Sequence, residues 1–172
     1  MKNVMLDLEM MGTNNNAAIV AIGACLFNAS EIGKKFYRNV DLTTSTGRID
    51  GGTVYWWLEQ SPEARAALLV NKLSEQAALE EFSLFLPVGA KLWGNGATFD
   101  NIVLRSAYQR QALPISWSFR NDMCYRTIKA MAVVPLPKRE GTHHNALDDA
   151  VFQAQHMIMM AEVHPVIRKM LA

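Results

Sequence analysis

Residues 3–9 read Asn-Val-Met-Leu-Asp-Leu-Glu, an apolar run that contains two acids. The alternation is typical of a β-strand, and its period of two places Asp7 and Glu9 on the same face. An Asp-x-Glu alone usually marks an exposed strand face. Here the surrounding residues are apolar, and unpaired carboxylates in such a place are costly unless a cation or hydrogen bonds compensate. The stretch therefore predicts an initial strand that carries a carboxylate site.

A turn and a second apolar run follow this strand. Residues 12–16 are turn-forming, and residues 17–27 have the near-continuous apolar character of a buried strand. The two strands predict an antiparallel hairpin, to which residues 35–40 can add a third strand. Residues 41–52 form a polar loop, which we expect to act as a mobile flap.

The middle of the chain alternates helical and strand patterns. Ser61 and Ser74 are expected to cap two helices, and residues 91–94 are a short strand candidate. Residues 93–101 read Trp-Gly-Asn-Gly-Ala-Thr-Phe-Asp-Asn, which predicts a strand, a glycine-bearing turn and a helix start. Asp100 then lies in the first turn of that helix, where the helix dipole alone would also favour an acid.

The last long helix has the clearest pattern, because apolar residues recur at helical spacing over residues 146–161. Before it, Asp122 is expected to cap a helix over residues 123–131. Strands come first and helices with further strands later, without a repeat or linker. The chain therefore predicts a mixed α/β fold in a single domain, residues 1–172.

The start of the last helix combines histidines with acids. Residues 143–149 read His-His-Asn-Ala-Leu-Asp-Asp. If His144 lies in the loop before the helix, His144 and Asp149 can face a common centre, whereas Asp148 points about 100° away around the helix. A helix N-terminus favours acids in any case, which explains Asp148 but not the histidine pair.

Composition and charge limit the possible classes of function. Half of the residues are hydrophobic and 19% are charged, as in globular proteins, and the net charge is +1. Binding of phosphate groups must therefore come from a local site. Cys25 and Cys124 lack metal-type spacing and are interpreted as free thiols, which fits a reducing cytoplasm. Acids interrupt the N-terminal apolar run too early for a signal peptide, and no segment approaches membrane-spanning length. We expect a cytoplasmic protein that does not bind a membrane.

Clustered carboxylates suit phosphodiester hydrolysis. The reaction needs an activated water, a stabilised pentavalent phosphate and a neutralised leaving oxygen, and two divalent ions supply all three. Mg²⁺ and Mn²⁺ prefer oxygen ligands such as the two carboxylates of an Asp-x-Glu strand. Taken alone, Asp7 and Glu9 are weak evidence for a site that holds such a pair of ions.

Taken in order, residues 7–9, 94–100 and 144–149 resemble the three exonuclease motifs of the DEDD superfamily, histidine subtype. The resemblance extends from residue 4 to about residue 160. Residues 53–65 further resemble a branch that contains a mycobacterial exoribonuclease-like domain and phage or prophage exonucleases. The resemblance implies a ribonuclease H-like fold, in which a mixed sheet begins with an antiparallel hairpin and is flanked by helices.

The resemblance also implies the roles of the site residues. The ligands of two Mg²⁺ or Mn²⁺ ions would be Asp7, Glu9, Asp100 and Asp149. His144, rather than His143, would deprotonate the attacking water, a task that suits a side chain whose unperturbed pKa lies near working pH. The implied reaction is stepwise hydrolysis from the 3′ end of single-stranded DNA or RNA, releasing nucleoside 5′-monophosphates. The alternatives are a strict 3′-5′ exoribonuclease and a non-catalytic nucleic-acid-binding module of the same fold.

Methionines and tryptophans are candidate contacts to the bases. Met10 stands where the superfamily often has Thr or Ser, and Met10 and Met11 either contact the last base or pack in the core. Trp56 is a candidate for stacking on an unpaired base. Adjacent helical residues diverge by about 100°, so Trp57 is then expected to pack inward.

Other polar residues allow two interpretations each. Asn95 and Asn101 either hydrogen-bond the scissile nucleotide or serve the fold. Several basic residues are expected to be solvated surface charge rather than phosphate contacts; these are Lys34, Lys35, Arg38, Lys138 and Arg139. The methionine-rich end of the chain either completes the core or forms a homodimer.

Overall fold

A computed structural model describes residues 1–172 as a six-stranded mixed sheet with helices on both faces. The strands are β1 Asn3–Met10, β2 Ile19–Phe27, β3 Ile32–Val40, β4 Lys72–Leu73, β5 Lys91–Gly94 and β6 Asp122–Cys124. The helices are α1 Gly51–Leu58, α2 Pro62–Ala67, α3 Glu75–Phe85, α4 Asp100–Arg110, α5 Tyr125–Ala132, α6 Ala146–Val163 and α7 Pro165–Leu171. Short 3₁₀ turns occupy Leu42–Thr44 and Phe119–Asn121.

The sheet has the strand order β4-β3-β2-β1-β5-β6. The antiparallel pairs β1–β2 and β2–β3 form the predicted hairpin and its third strand. The pairs β1–β5, β5–β6 and β3–β4 are parallel. The prediction of a mixed sheet with an antiparallel N-terminal hairpin is therefore confirmed.

The first strand separates two cores. Val4 and Leu6 are buried in the core that contains residues of α3 and α4, whereas Met5 lies in the core that contains residues of α6 and α7. Because side chains alternate along a strand, Asp7 and Glu9 share the face of Met5. The two acids of β1 are thus directed to the side on which α6 packs.

Two glycines allow helix N-termini to approach the sheet. A Cβ atom on Gly23, which pairs with Asp7 across the hairpin, would lie 2.1 Å from the carbonyl carbon of Ala146. A Cβ atom on Gly94 would lie 2.4 Å from Oδ1 of Asn101. Neither distance is sterically possible, so these positions require glycine. The starts of α6 and α4 are thereby brought against β2 and the end of β5.

The loop between β3 and α1 is anchored to α3, which corrects the prediction of a mobile flap. The buried carboxylate of Glu75 accepts hydrogen bonds from Ser45 Oγ at 3.1 Å and from the backbone N–H of Thr46 at 2.8 Å. A buried carboxylate satisfied by donors from one loop holds that loop in place. Its polar composition therefore reflects capping and buried hydrogen bonds rather than mobility.

Asp122 does not cap a helix, and that prediction is wrong. It begins β6, and α5 starts three residues later at Tyr125. The Asp122 carboxylate instead accepts hydrogen bonds from Trp117 Nε1 at 2.9 Å and Arg105 Nη2 at 3.1 Å. A carboxylate paired with tertiary donors leaves no local signal in the sequence.

The C-terminal helices complete the second core. Met157 and Met160 are fully buried there, and the short helix α7, which the sequence did not predict, covers them with Ile167 and Leu171. The core interpretation thus holds for these two methionines, and a homodimer stays a prediction. No helix combines the length and the apolar character needed to cross a membrane.

Candidate active site

Four acids from three elements line one cavity of about 530 Å³. Asp7 and Glu9 come from β1, Asp100 opens α4, and Asp149 lies in the first turn of α6. Glu9, Asp100 and Asp149 are each at least nine-tenths buried. The elements that the glycines bring together therefore deliver the predicted acids to one place.

Two of the acids and His144 lie close enough together to hold one metal ion. A carboxylate oxygen of Glu9, one of Asp149 and a ring nitrogen of His144 lie within 4.8 Å of one another. Oδ2 of Asp100 is buried without a hydrogen-bond partner. A buried carboxylate oxygen that no donor satisfies is costly unless a cation compensates it. The donor set, which is mainly oxygen, fits hard divalent ions.

Burial and mutual repulsion govern the charges of the cluster. Burial, together with the charges of Asp149 and Asp100, raises the pKa of Glu9 to about 8. Burial raises the pKa of Asp100 to about 6. The pKa of Asp7 is also raised well above its usual value, by burial and then by the charges of Asp100 and Glu9. The cluster therefore holds protons near neutral pH unless added positive charge displaces them.

His144 has a strained and well-supported position. Its φ of 62° lies in the left-handed region, which is uncommon for a residue other than glycine. Its backbone N–H donates to Oδ2 of Asp149 at 3.0 Å, and the Trp56 ring packs edge-on against its own ring at 4.8 Å between centroids. Burial and the nearby His143 lower the pKa of His144. The ring is therefore neutral at pH 7 and able to accept a proton.

Of the chain neighbours of His144 and Asp149, His143 lines the cavity of the acids and Asp148 does not. Oδ2 of Asp148 accepts from the backbone N–H of Thr142 at 2.8 Å, so this acid holds the loop before α6, while His143 is exposed. The divergence of Asp148 from Asp149 follows the prediction from helical geometry. Of the two acids, only Asp149 lines the cavity.

Gln153 also lines this cavity, and it was not among the site residues predicted from the sequence. It lies one helical turn after Asp149, is 5% exposed, and donates from Nε2 to Oδ1 of Asp7 at 2.8 Å. Its Oε1 is buried without a partner. The i, i+4 spacing from Asp149 was the available signal, because residues at that spacing share a helix face.

Arg139 also contacts the cluster, contrary to the expectation of a solvated charge. Its Nη1 lies 2.6 Å from Oδ1 of Asp149, and its guanidinium stacks over the Phe152 ring at 4.3 Å from the centroid. Arg139 lies in the segment between α5 and α6, which has no regular secondary structure. No periodic pattern could have indicated which way this side chain points.

The two tryptophans have the predicted orientations. Trp57 is 4% exposed and donates from Nε1 to the backbone oxygen of Met10 at 3.0 Å. Trp56 is 40% exposed and lines a second cavity of about 460 Å³ together with Met10 and Glu9.

The apolar lining residues of the second cavity are Leu8, Met10, Trp56 and Phe99. Leu8, Glu9 and Phe99 line both cavities, so the second cavity adjoins the acids.

Two of the candidate substrate contacts do not line the cavity of the acids. Asn101 is fully buried and donates from Nδ2 to the backbone oxygen of Leu92 at 2.9 Å, so it serves the fold. Met11 packs against the core around Trp57 and lines a different, apolar cavity. Asn95 lines the cavity of the acids, and Met10 is 7% exposed at the edge of the second cavity. These two stay predicted contacts.

Comparison with solved structures gives the fold. E. coli exonuclease I in complex with a dA16 oligonucleotide matches with a TM-score of 0.69 at 18% identity, over 97% of this chain and 42% of that one. The nuclease domain of 3′hExo, a DEDDh family member bound to rAMP, matches with a TM-score of 0.64 at 14% identity. The match covers 94% of this chain and 92% of that one. S. pombe Pop2p in its Mg²⁺ and Mn²⁺ bound form matches with a TM-score of 0.64 at 12% identity. The match covers 96% of this chain and 85% of that one. The predicted ribonuclease H-like fold is thus confirmed.

Comparison with protein families gives the membership. The sequence matches no curated protein directly. The family model of the 3′-5′ exoribonuclease Rv2179c-like domain matches residues 2–161, which is nearly the whole chain. The chain therefore belongs to the family of Rv2179c-like 3′-5′ exoribonuclease domains and is an enzyme of the 3′-5′ exonuclease class.

Proposed function

We propose that residues 1–172 act as a single domain that hydrolyses single-stranded nucleic acid from its 3′ end and releases nucleoside 5′-monophosphates. The observation that carries the proposal is the cavity that four acids from three elements line together with a neutral histidine. Such a concentration of buried acids destabilises a protein unless it serves a charged ligand.

The proposed cofactor is a pair of Mg²⁺ or Mn²⁺ ions in this cavity. Their ligands would be Asp7, Glu9, Asp100 and Asp149. The unsatisfied Oδ2 of Asp100 and the raised pKa of Glu9 both favour a bound cation. Pop2p was solved in a Mg²⁺ and Mn²⁺ bound form, which supports the choice of ions. When bound, such a pair activates a water and neutralises charge on the phosphate and the leaving oxygen.

His144 is the proposed general base. A neutral ring nitrogen accepts the proton of the attacking water, and the lowered pKa of His144 keeps that nitrogen free at pH 7. The hydrogen bond from its backbone to Asp149 fixes the distance between base and ligand. The packing of Trp56 against the ring limits its rotation.

DNA and RNA are both candidate substrates. Exonuclease I was solved with a DNA oligonucleotide and 3′hExo with rAMP, so the fold accommodates either sugar in other proteins. A strict exoribonuclease is the second candidate, because the matching family is described as exoribonuclease-like. Selection of RNA would require a contact to the 2′-hydroxyl.

Removing the Trp56 ring is expected to weaken substrate binding. Stacking of a base on an aromatic side chain contributes roughly 1–3 kcal/mol, so Trp56→Ala should raise KM about fivefold or more. Steady-state kinetics on a single-stranded oligonucleotide measure this change. Tyr55→Ala is the matched control, because Tyr55 is an exposed aromatic residue of the same helix outside both cavities. An equal KM for the two variants would contradict the assignment of Trp56.

Without metal, the protein is expected to lose stability as the pH rises. The pKa of Glu9 is raised from 4.5 to about 8 in the folded protein. Between these values the folded state binds more protons than the unfolded state, so the free energy of unfolding falls as pH increases. Stabilisation by Mg²⁺ should grow over the same window, because the ion replaces the protons. Thermal denaturation in EDTA and in Mg²⁺ across this range measures both trends.

The variant Glu9→Gln serves as the control for this pH dependence. Glutamine keeps the size of the side chain and does not titrate, so the loss of stability with pH in EDTA should become shallower. An unchanged slope would show that Glu9 is not the group responsible.

A panel of labelled substrates tests the proposed function. It compares single-stranded and duplex DNA and RNA, each with a free or a blocked 3′ end, in the presence of Mg²⁺ or Mn²⁺. We expect degradation of at least one single-stranded substrate and protection by the 3′ block. Binding without degradation of any substrate would instead favour the non-catalytic module.

A further inference from the structure

Arg139 is held between an acid of the site and an aromatic ring. Its Nη1 lies 2.6 Å from Oδ1 of Asp149, and the Phe152 ring lies under its guanidinium. The Arg139 side chain is 32% exposed, whereas Asp149 is a buried residue. The guanidinium therefore lies at the boundary between the buried acids and solvent.

In this arrangement both oxygens of Asp149 have protein donors. Oδ1 accepts from Arg139, and Oδ2 accepts from the backbone N–H of His144 at 3.0 Å. The bond from His144 belongs to the backbone and is fixed by the start of α6. The bond from Arg139 belongs to a long side chain that can rotate away.

Arg139 shares its cavity with two further cations. Arg126 and Lys129 of α5 line the same cavity as the four acids. Arg126 is engaged through Nη2 with the backbone oxygen of Asn95 at 2.7 Å. The cavity thus has a basic wall, formed by Arg126, Lys129 and Arg139, next to its acids. A guanidinium suits a phosphate because its planar fork donates two parallel hydrogen bonds.

We propose that Arg139 exchanges partners during the reaction cycle. When the acids hold no metal, Arg139 pairs with Asp149. When the acids hold metal, Arg139 binds a substrate phosphate. This inference rests on the proposed function. A divalent ion on Asp149 would repel a guanidinium 2.6 Å from the same carboxylate, and an incoming phosphodiester would attract it. Arg139 then competes with the metal for Asp149 and strengthens the binding of the substrate through its phosphate.

Arg139→Gln tests the exchange because the two effects have opposite signs. Calorimetric titration with Mn²⁺ should show binding that is roughly 3–10-fold tighter than in the unchanged protein, since a competing cation is gone. Oligonucleotide binding is measured by fluorescence anisotropy with a single strand that carries a 3′-terminal phosphorothioate. In Mn²⁺, Arg139→Gln should bind this strand about tenfold more weakly than the unchanged protein does. In EDTA the loss of oligonucleotide affinity should be smaller, because Arg139 of the unchanged protein then pairs with Asp149.

Lys129→Gln is the matched control. It removes one positive charge from the same wall without touching Asp149, so it should weaken oligonucleotide binding to a similar extent with and without Mn²⁺. If Arg139→Gln behaves like this control and leaves Mn²⁺ affinity unchanged, the exchange is wrong and the proposed function stands. If the unchanged protein binds no Mn²⁺, the proposed function fails together with the exchange.

Discussion

Asp7→Asn is expected to abolish hydrolysis while leaving the protein folded. The loss of one ligand charge at about 4 Å from a cation costs on the order of 4 kcal/mol, which corresponds to roughly a thousandfold lower rate. Asparagine keeps an oxygen that can accept the hydrogen bond from Gln153. Because burial and neighbouring acids raise the pKa of Asp7, removing its charge should also leave the metal-free protein equally or more stable to heat.

Asp148→Asn is the matched control for Asp7→Asn. Asp148 lies beside a proposed ligand in the chain, but its carboxylate bonds to the backbone of Thr142 outside the cavity. This variant should keep most of the activity. Equal losses in the two variants would contradict the assignment of the ligands, and a lower melting temperature for Asp7→Asn would contradict the account of the charges.

His144→Ala is expected to lower kcat by roughly 10²- to 10⁴-fold, the usual contribution of a general base. Alanine retains the backbone N–H that donates to Asp149, so Mn²⁺ affinity should change little. The fall in rate at low pH should also change, because that part of the pH–rate profile reports protonation of the general base. Single-turnover kinetics across pH, together with Mn²⁺ titration, separate the loss of a base from the loss of the metal site.

His143→Ala provides the comparison for His144→Ala. The two rings are in contact, with centroids 3.9 Å apart, but His143 is exposed. We expect this variant to retain most of the activity. The reverse result, with His143 essential and His144 dispensable, would move the base to the other residue.

Features that depend on local periodicity were predictable from the sequence. The period of two in β1 placed Asp7 and Glu9 on one face, and the helical period of α6 separated Asp149 from Asp148. Capping residues such as Ser74 gave helix starts to within a residue. Each of these follows from the geometry of a single element.

Features that depend on contacts between distant elements were not predictable. Asn101 was a candidate for substrate binding, yet it is buried against β5, and Asp122 pairs with tertiary partners instead of capping a helix. Arg139 looked like surface charge because nothing in an irregular segment shows where a side chain points. Such errors arise where the partner of a polar group is far away in the chain.

The most direct test of the central claim follows the products from a single-stranded oligonucleotide labelled at its 5′ end. In Mg²⁺ or Mn²⁺ we expect a ladder of labelled strands that shorten from the 3′ end and release of nucleoside 5′-monophosphates. In EDTA we expect no reaction. Intact strands in the presence of either metal, or immediate release of the labelled 5′ nucleotide, would contradict the central claim.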